Sequence, residues 1–139
     1  MTEAALDASV ILKWFRGEGE RNLAAARSLR AAFEARELLV FAPPLLRLEI
    51  VSVAGRRWRW AEGALVELAA ALDELGLELK EPELGRVARW TAHGLTAYDA
   101  AYVAVAEAEA IPLFTDDDRI VTAAPQVAVT LSDAIERKG

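Results

Sequence analysis

Carboxylates stand at four places in this chain where the surrounding pattern could turn them into chemistry: Asp7, Glu49, Asp99 and the run Asp116-Asp117-Asp118. Asp99 opens a helix pattern in which Ala100 to Ala106 are apolar without a break, so that helix would be buried nearly all round. Ile111 to Phe114 reads as a buried strand too short for a helix, and Thr115-Asp116-Asp117-Asp118 falls where it hands over to the next helix. Asp7 ends a short apolar strand, Glu3 to Leu6, with Ala8-Ser9 leading into another helix. Glu49 has Leu45 and Leu46 one turn before it and Val53 one turn after, which puts it on an apolar stripe. A carboxylate there costs several kcal/mol if it is buried without a partner. Clustered carboxylates repel one another, and a divalent cation turns that repulsion into binding. The chemistry open to such a set is metal-assisted hydrolysis, in which no histidine base is needed.

Each acid also has an ordinary explanation. Asp7 makes a good N-cap, and Thr96-x-x-Asp99 fits a capping box. The acids at 116 to 118 would favour the positive end of the following helix. Glu49 would be satisfied by Arg47 or Arg56 at the rim of its helix. These readings are separate, whereas one shared site accounts for all four.

Composition narrows the choice. The chain has 139 residues, which fits one domain spanning 1–139, and 54% of them are hydrophobic, as in a core-rich globular protein. The longest apolar runs, such as Leu38 to Leu46, fall short of the roughly 18 to 20 residues a membrane span needs, and no basic leader opens the chain, so a cytoplasmic protein is expected. With no cysteine and a single histidine, His93, thiolate chemistry, zinc-cysteine sites and two-histidine zinc sites lack their parts. Any metal should therefore be a hard one on carboxylate oxygens. The net charge of -6 argues at first against nucleic-acid partners, but less so if several acids share one metal-filled pocket.

The elements that must position these acids follow from pattern. Strands are expected at 3–6, 38–42, 77–79, 111–114 and 127–130. Helices are expected after Ser9, over Glu20 to Arg36, Leu45 to about Trp60, Glu62 to Leu75, Glu83 to His93, from Thr96 onward, and from Ser132. Five short strands separated by helices predict an α/β, three-layer α/β/α sandwich around a mainly parallel sheet. If the fourth strand lies beside the first, the switch point falls between them, and Asp7 and the acids after Thr115 face one crevice. The helices carrying Glu49 and Asp99 open at the same edge. One further segment, Gly55-Arg56-Arg57-Trp58-Arg59-Trp60, interleaves cations with aromatics. It can stack bases and bind phosphates, anchor a protein partner, or pack with its arginines solvated; of these a protein interface is favoured.

With these residues assembled, the chain resembles a PIN domain, and among PIN domains the short VapC-type toxins of prokaryotic toxin–antitoxin pairs. The matching pieces are LDASVILKWF at 6–15, LLRLEIVSVAGRR at 45–57 and LTAYDAAYVAVAEAEAIPLFTDDDR at 95–119, and the likeness covers essentially the whole length. The resemblance implies that Asp7, Glu49 and Asp99 are core acids of a site for one or two Mg2+ or Mn2+ ions. Asp117, two residues after Thr115, would be the fourth acid, with Asp116 or Asp118 as alternatives. Ser9, Thr96 and Thr115 would orient carboxylates or a metal-bound water. It further implies endonucleolytic cleavage of RNA by a metal-activated water, a cognate antitoxin as partner, and a homodimer. Two other classes remain: a non-catalytic PIN-like binding module, and a Mg-binding phospho-acceptor domain of receiver type. The receiver reading wants an acid pair after the first strand, where Asp7 stands alone.

Overall fold

The structure is a computed structural model that describes residues 1–138 other than Glu18 and Glu20, with Ile135 to Lys138 as backbone only. Five parallel strands, β1 (Thr2–Leu6), β2 (Leu38–Ala42), β3 (Glu78–Leu79), β4 (Leu113–Thr115) and β5 (Ala128–Thr130), form one sheet in the order β3-β2-β1-β4-β5. The central strands are continuous apolar runs because both faces are covered. Ala4, Ala5 and Leu6 of β1, with Leu113 of β4, are inaccessible to solvent.

The helices are α1 (Ala8–Phe15), α2 (Leu23–Glu34), α3 (Leu45–Arg56), α4 (Glu62–Glu74), α5 (Leu84–Ala92), α6 (Ala97–Glu109), α7 (Asp118–Ala123) and α8 (Leu131–Lys138). One helical layer holds α2 packed with α1 and α8; on β1, β2 and β4 lies α6, with α5 against it. Every residue of α6 from Ala100 to Ala106 is buried, as its unbroken apolar run requires, and its many alanines let it lie close to the sheet. Gly94, at φ 102°, makes the turn that separates α5 from α6, a backbone region in which a side chain is strained.

Three expected boundaries move. The helix from Leu45 stops at Arg56 rather than Trp60, because Arg59 adopts a left-handed conformation, φ 60°, and turns the chain. The fourth strand begins at Leu113 rather than Ile111, because Ala110, at φ 55°, still closes α6. The second helix runs from Leu23 to Glu34; its expected first residue, Glu20, lies outside the described residues. Among the described residues no helix is long and apolar enough to cross a membrane.

Candidate functional site

The register of the sheet sets the site. Leu6 of β1 pairs with Phe114 of β4, so Asp7 and Thr115 emerge side by side at the carboxyl ends of adjacent strands. This is the switch point of the sheet, since the chain grows from β1 toward β3 on one side and reaches β4 and β5 on the other. Asp7 occupies the N-cap position of α1 but makes no side-chain cap bond. Its two oxygens are taken by hydroxyls instead: Ser9 Oγ donates to Oδ1 at 2.6 Å and Thr115 Oγ1 donates to Oδ2. Each hydroxyl then accepts from the backbone of the acid run, Ser9 Oγ from the Asp116 N–H and Thr115 Oγ1 from the Asp117 N–H, both at 3.0 Å. The two side chains thus lock the end of β1 to the loop after β4.

Asp7 is 4% exposed. Burial pushes its carboxyl up to about 6; the Ser9 and Thr115 hydroxyls oppose that rise, and the charge of Asp117 adds to it. Glu49, half-buried on α3, accepts a hydrogen bond from the buried Tyr102 hydroxyl of α6, not from an arginine. Arg47 instead pairs with Asp73 at 2.9 Å, so the expected Glu49–Arg47 contact does not form. Burial raises the Glu49 carboxyl, Tyr102 opposes, and the nearby Asp99 charge raises it further. Asp99 lies in the first turn of α6, its N–H donating to Thr96 Oγ1 at 3.1 Å. Its carboxyl is also raised, by burial first and by Asp117, against the Thr96 hydroxyl.

The three consecutive acids separate cleanly. Asp116 turns away to Lys13, whose side chain is 2% exposed, at 3.1 Å, and also meets Arg21 and Asn22. Burial pushes Asp116 up, but the Asn22 amide and the Lys13 and Arg21 charges outweigh it and hold the carboxyl below its ordinary range. Asp118 is exposed in the first turn of α7. Asp117 is the N-cap of α7, accepts the Arg119 N–H at 2.9 Å, and is held low chiefly by the Arg119 side chain.

One cleft of about 200 Å3 is lined by Asp7, Ser9, Glu49, Asp99, Tyr102 and Asp117, with Leu12 and Val53 in its wall. It is smaller than the apolar groove between α3 and α4, about 410 Å3; its acids, not its volume, mark it out. Asp7, Glu49, Asp99 and Asp117 are therefore brought together, and Asp116 and Asp118 are not among them. Sequence reasoning missed Tyr102, Lys13 and Arg119. Tyr102 was signalled as the one hydroxyl in the apolar run Ala100 to Ala106, and Lys13 as the one charge in VILKWF.

All oxygen donors in the cleft are hard, and three of its acids have carboxyls raised by burial first and then by a neighbouring acid, Asp117 for Asp7 and Asp99, and Asp99 for Glu49. That excess of negative charge fits a divalent cation. Among the described residues no group of three acids is already gathered to hold an ion; Glu49 is bound to Tyr102 and Asp117 to Arg119.

Comparison with known proteins agrees with this geometry. The PIN domain family model matches residues 4–124. Ribonuclease VapC1 of Mycobacterium tuberculosis, in two strains, is 33% identical over 128 residues, covering 88% of this chain and 92% of that protein. The crystal structure of PAE2754 from Pyrobaculum aerophilum superposes with a TM-score of 0.67 at 22% identity, covering 99% of this chain and 96% of the other. That of Mycobacterium tuberculosis VapC20, described as a sarcin-ricin loop cleaving toxin, gives 0.64 at 17% identity, covering 86% and 94%. At these identities the two structures speak for the fold. Ribonucleases of this family depend on a divalent metal. With a matching family model over most of its length and a VapC ribonuclease one third identical, the chain belongs to the PIN-domain family, among the VapC-type ribonucleases.

Proposed function

We propose that this protein is a divalent-metal-dependent endoribonuclease that acts as the toxin of a toxin–antitoxin pair. The observation that carries this is the buried Asp7, held between Ser9 and Thr115 in the same cleft as Glu49, Asp99 and Asp117. Asp7, Glu49, Asp99 and Asp117 would hold one or two Mg2+ or Mn2+ ions. When bound, the metal supplies a water acidic enough to attack phosphorus and positive charge to stabilise the departing oxygen. Asp7 fixes the floor of the site because both its oxygens are already oriented by hydroxyls. Tyr102 orients Glu49, and Arg119 orients Asp117, in the lining of the cleft. Ser9, Thr96 and Thr115 position the acids rather than touch substrate. Residues 1–139 serve as one PIN domain in the cytoplasm, paired as a homodimer, with RNA as substrate and a cognate antitoxin that blocks the acids.

The test is cleavage of a cellular RNA pool by the purified protein with Mn2+ or Mg2+, beside an EDTA control and an Asp7→Asn, Asp99→Asn variant. Metal-dependent cuts absent from the variant are expected. Cleavage that survives in the variant or in EDTA would remove the carboxylate–metal assignment.

A further inference from the structure

Immediately beyond the cleft wall lies a cationic surface that the acid site does not explain. Arg16 follows α1, and its backbone N–H donates at 3.1 Å to the carbonyl of Leu12, which lines the cleft. Arg57 and Trp58 follow α3, and both their N–H groups donate to the carbonyl of Val53, which lines it from the other side, at 2.9 and 3.1 Å. One helical turn advances about 5.4 Å, so this surface is continuous with the cleft.

The surface is built rather than incidental. The Arg16 guanidinium lies over the Trp58 ring, 5.4 Å from its centroid, and Trp60 packs against Trp58 at 5.3 Å. Both tryptophans rest on the core. A stacked guanidinium keeps its in-plane N–H groups for another acceptor, and stacking lowers the entropy lost when that acceptor arrives. Arg59 holds φ 60°, a region where glycine or asparagine is usual and another residue costs about 1 kcal/mol. The turn it makes lets the Trp60 N–H reach the Ala54 carbonyl at 3.0 Å.

Charge identifies the occupant. Among the described residues Arg16, Arg56, Arg57 and Arg59 make no ion pair and stand at neighbouring helix ends, whereas Arg47, Arg86, Arg89 and Arg119 are each taken up by an acid and the other unpaired cations, Arg27, Arg36 and Lys80, are scattered along the chain. In a chain of net charge -6, this is a gathering of cations left for an outside anion. The apolar faces are not offered in the same way: Trp58 and Trp60 are half-buried, and Arg16 covers the first. A protein partner would want those rings as anchors; a phosphate chain wants the guanidinium edges. The placement favours a phosphate chain over the protein interface expected from sequence.

We infer that Arg16, Arg56, Arg57 and Arg59 form the track that grips the phosphates of a single RNA strand next to the bond held in the acid cleft. The inference rests on the ribonuclease reading above and adds where the strand runs. The acids repel RNA, so the protein's hold on its substrate comes from this track.

The test uses an Asp7→Asn parent, which separates binding from cutting, and a fluorescein-labelled single-stranded RNA of mixed sequence. Adding Arg57→Gln and Arg59→Gln is expected to weaken binding about tenfold and to lower the slope of log affinity against log salt by about 1.4. The same charge change made elsewhere, Arg27→Gln with Arg36→Gln, should leave both values unmoved. Unchanged affinity and slope in the Arg57, Arg59 variant, or no RNA binding by the parent, would overturn the track. If that variant instead alters the molecular mass in solution while RNA affinity stays unchanged, the surface belongs to a protein partner. Failure of wild-type RNA cleavage with metal is read separately and counts against the ribonuclease reading, not against the track.

Discussion

Two hydroxyls donate to the Asp7 carboxyl, yet burial keeps it near 6. A carboxyl raised in the folded state contributes stability that is present below its unfolded value, roughly 4, and is lost as pH rises through about 6. Metal-stripped protein should therefore melt at higher temperature at pH 5 than at pH 7.5. Asp7→Asn should shrink that difference by about 1 kcal/mol, and Glu49 and Asp99, whose carboxyls are also raised, keep the remainder. Asp116, Asp117 and Glu107, whose carboxyls are held low, lose their contribution only below the ordinary carboxylate range and so do not enter this window. Cation binding runs the other way. It needs Asp7 ionised, so the rise in Tm caused by Mn2+ should shrink as pH falls from 7.5 to 5.5. Tyr102 offers a second single-atom test. In Tyr102→Phe the Glu49 carboxyl loses the hydroxyl that donates to it, so NMR titration should find it higher than in the wild type. Calorimetry should show metal binding weakened several-fold with the fold intact. A Glu49 titration unmoved by that change would mean the hydroxyl does not position it.

At the scale of the element, the loop between β4 and α7 sorts three identical side chains into three roles. Asp116 is a strut to the buried Lys13, Asp117 caps α7 beside the cleft, and Asp118 faces solvent. Asp116→Asn should destabilise the protein by on the order of 1–3 kcal/mol in chemical denaturation, while Asp118→Asn stays within about 0.5 kcal/mol. Equal losses would mean that the Lys13 pair is not a support. Nothing in the sequence could rank these acids, because their spacing along the chain is one residue each and the distinction comes from Lys13, Asn22 and Arg21, which lie in and after the first helix, far away in the chain. The strands and the buried helix α6 were legible for the opposite reason. Their apolar runs are local and bounded by Gly94, Pro43-Pro44 and the acid loop. The end of α3 was not legible, since Arg59 takes a glycine's conformation and leaves no glycine in the sequence to mark it. Glu49 was visible as an anomaly on an apolar stripe, but its partner Tyr102 is 53 residues on and reads as one more core aromatic.

Across the whole molecule, charge is divided by place. Four acids line the cleft where β1 and β4 end, and Arg16, Arg56, Arg57 and Arg59, four of the cations that make no ion pair among the described residues, follow its wall. A uniformly negative protein would repel RNA at every approach; this arrangement leaves one approach open, at the site where the acids await a cation. The same division accounts for how a chain of net charge -6 belongs among ribonucleases.

The hydroxyl of Thr115 that grips Asp7 is separated from it by 108 residues of chain, and the Asp116 N–H from Ser9 by 107. Contacts so distant along the chain close late, after the local helices and the β1–β2 pair have formed. On dilution from urea, the capacity to bind Mn2+ should return in the slowest phase, together with exchange protection of Leu113 to Thr115. A growing chain on the ribosome would then carry Asp7 and Glu49 long before it carries their partners. The cleft cannot be completed before Thr115 has left the ribosome, so the site forms only once β4 is in place.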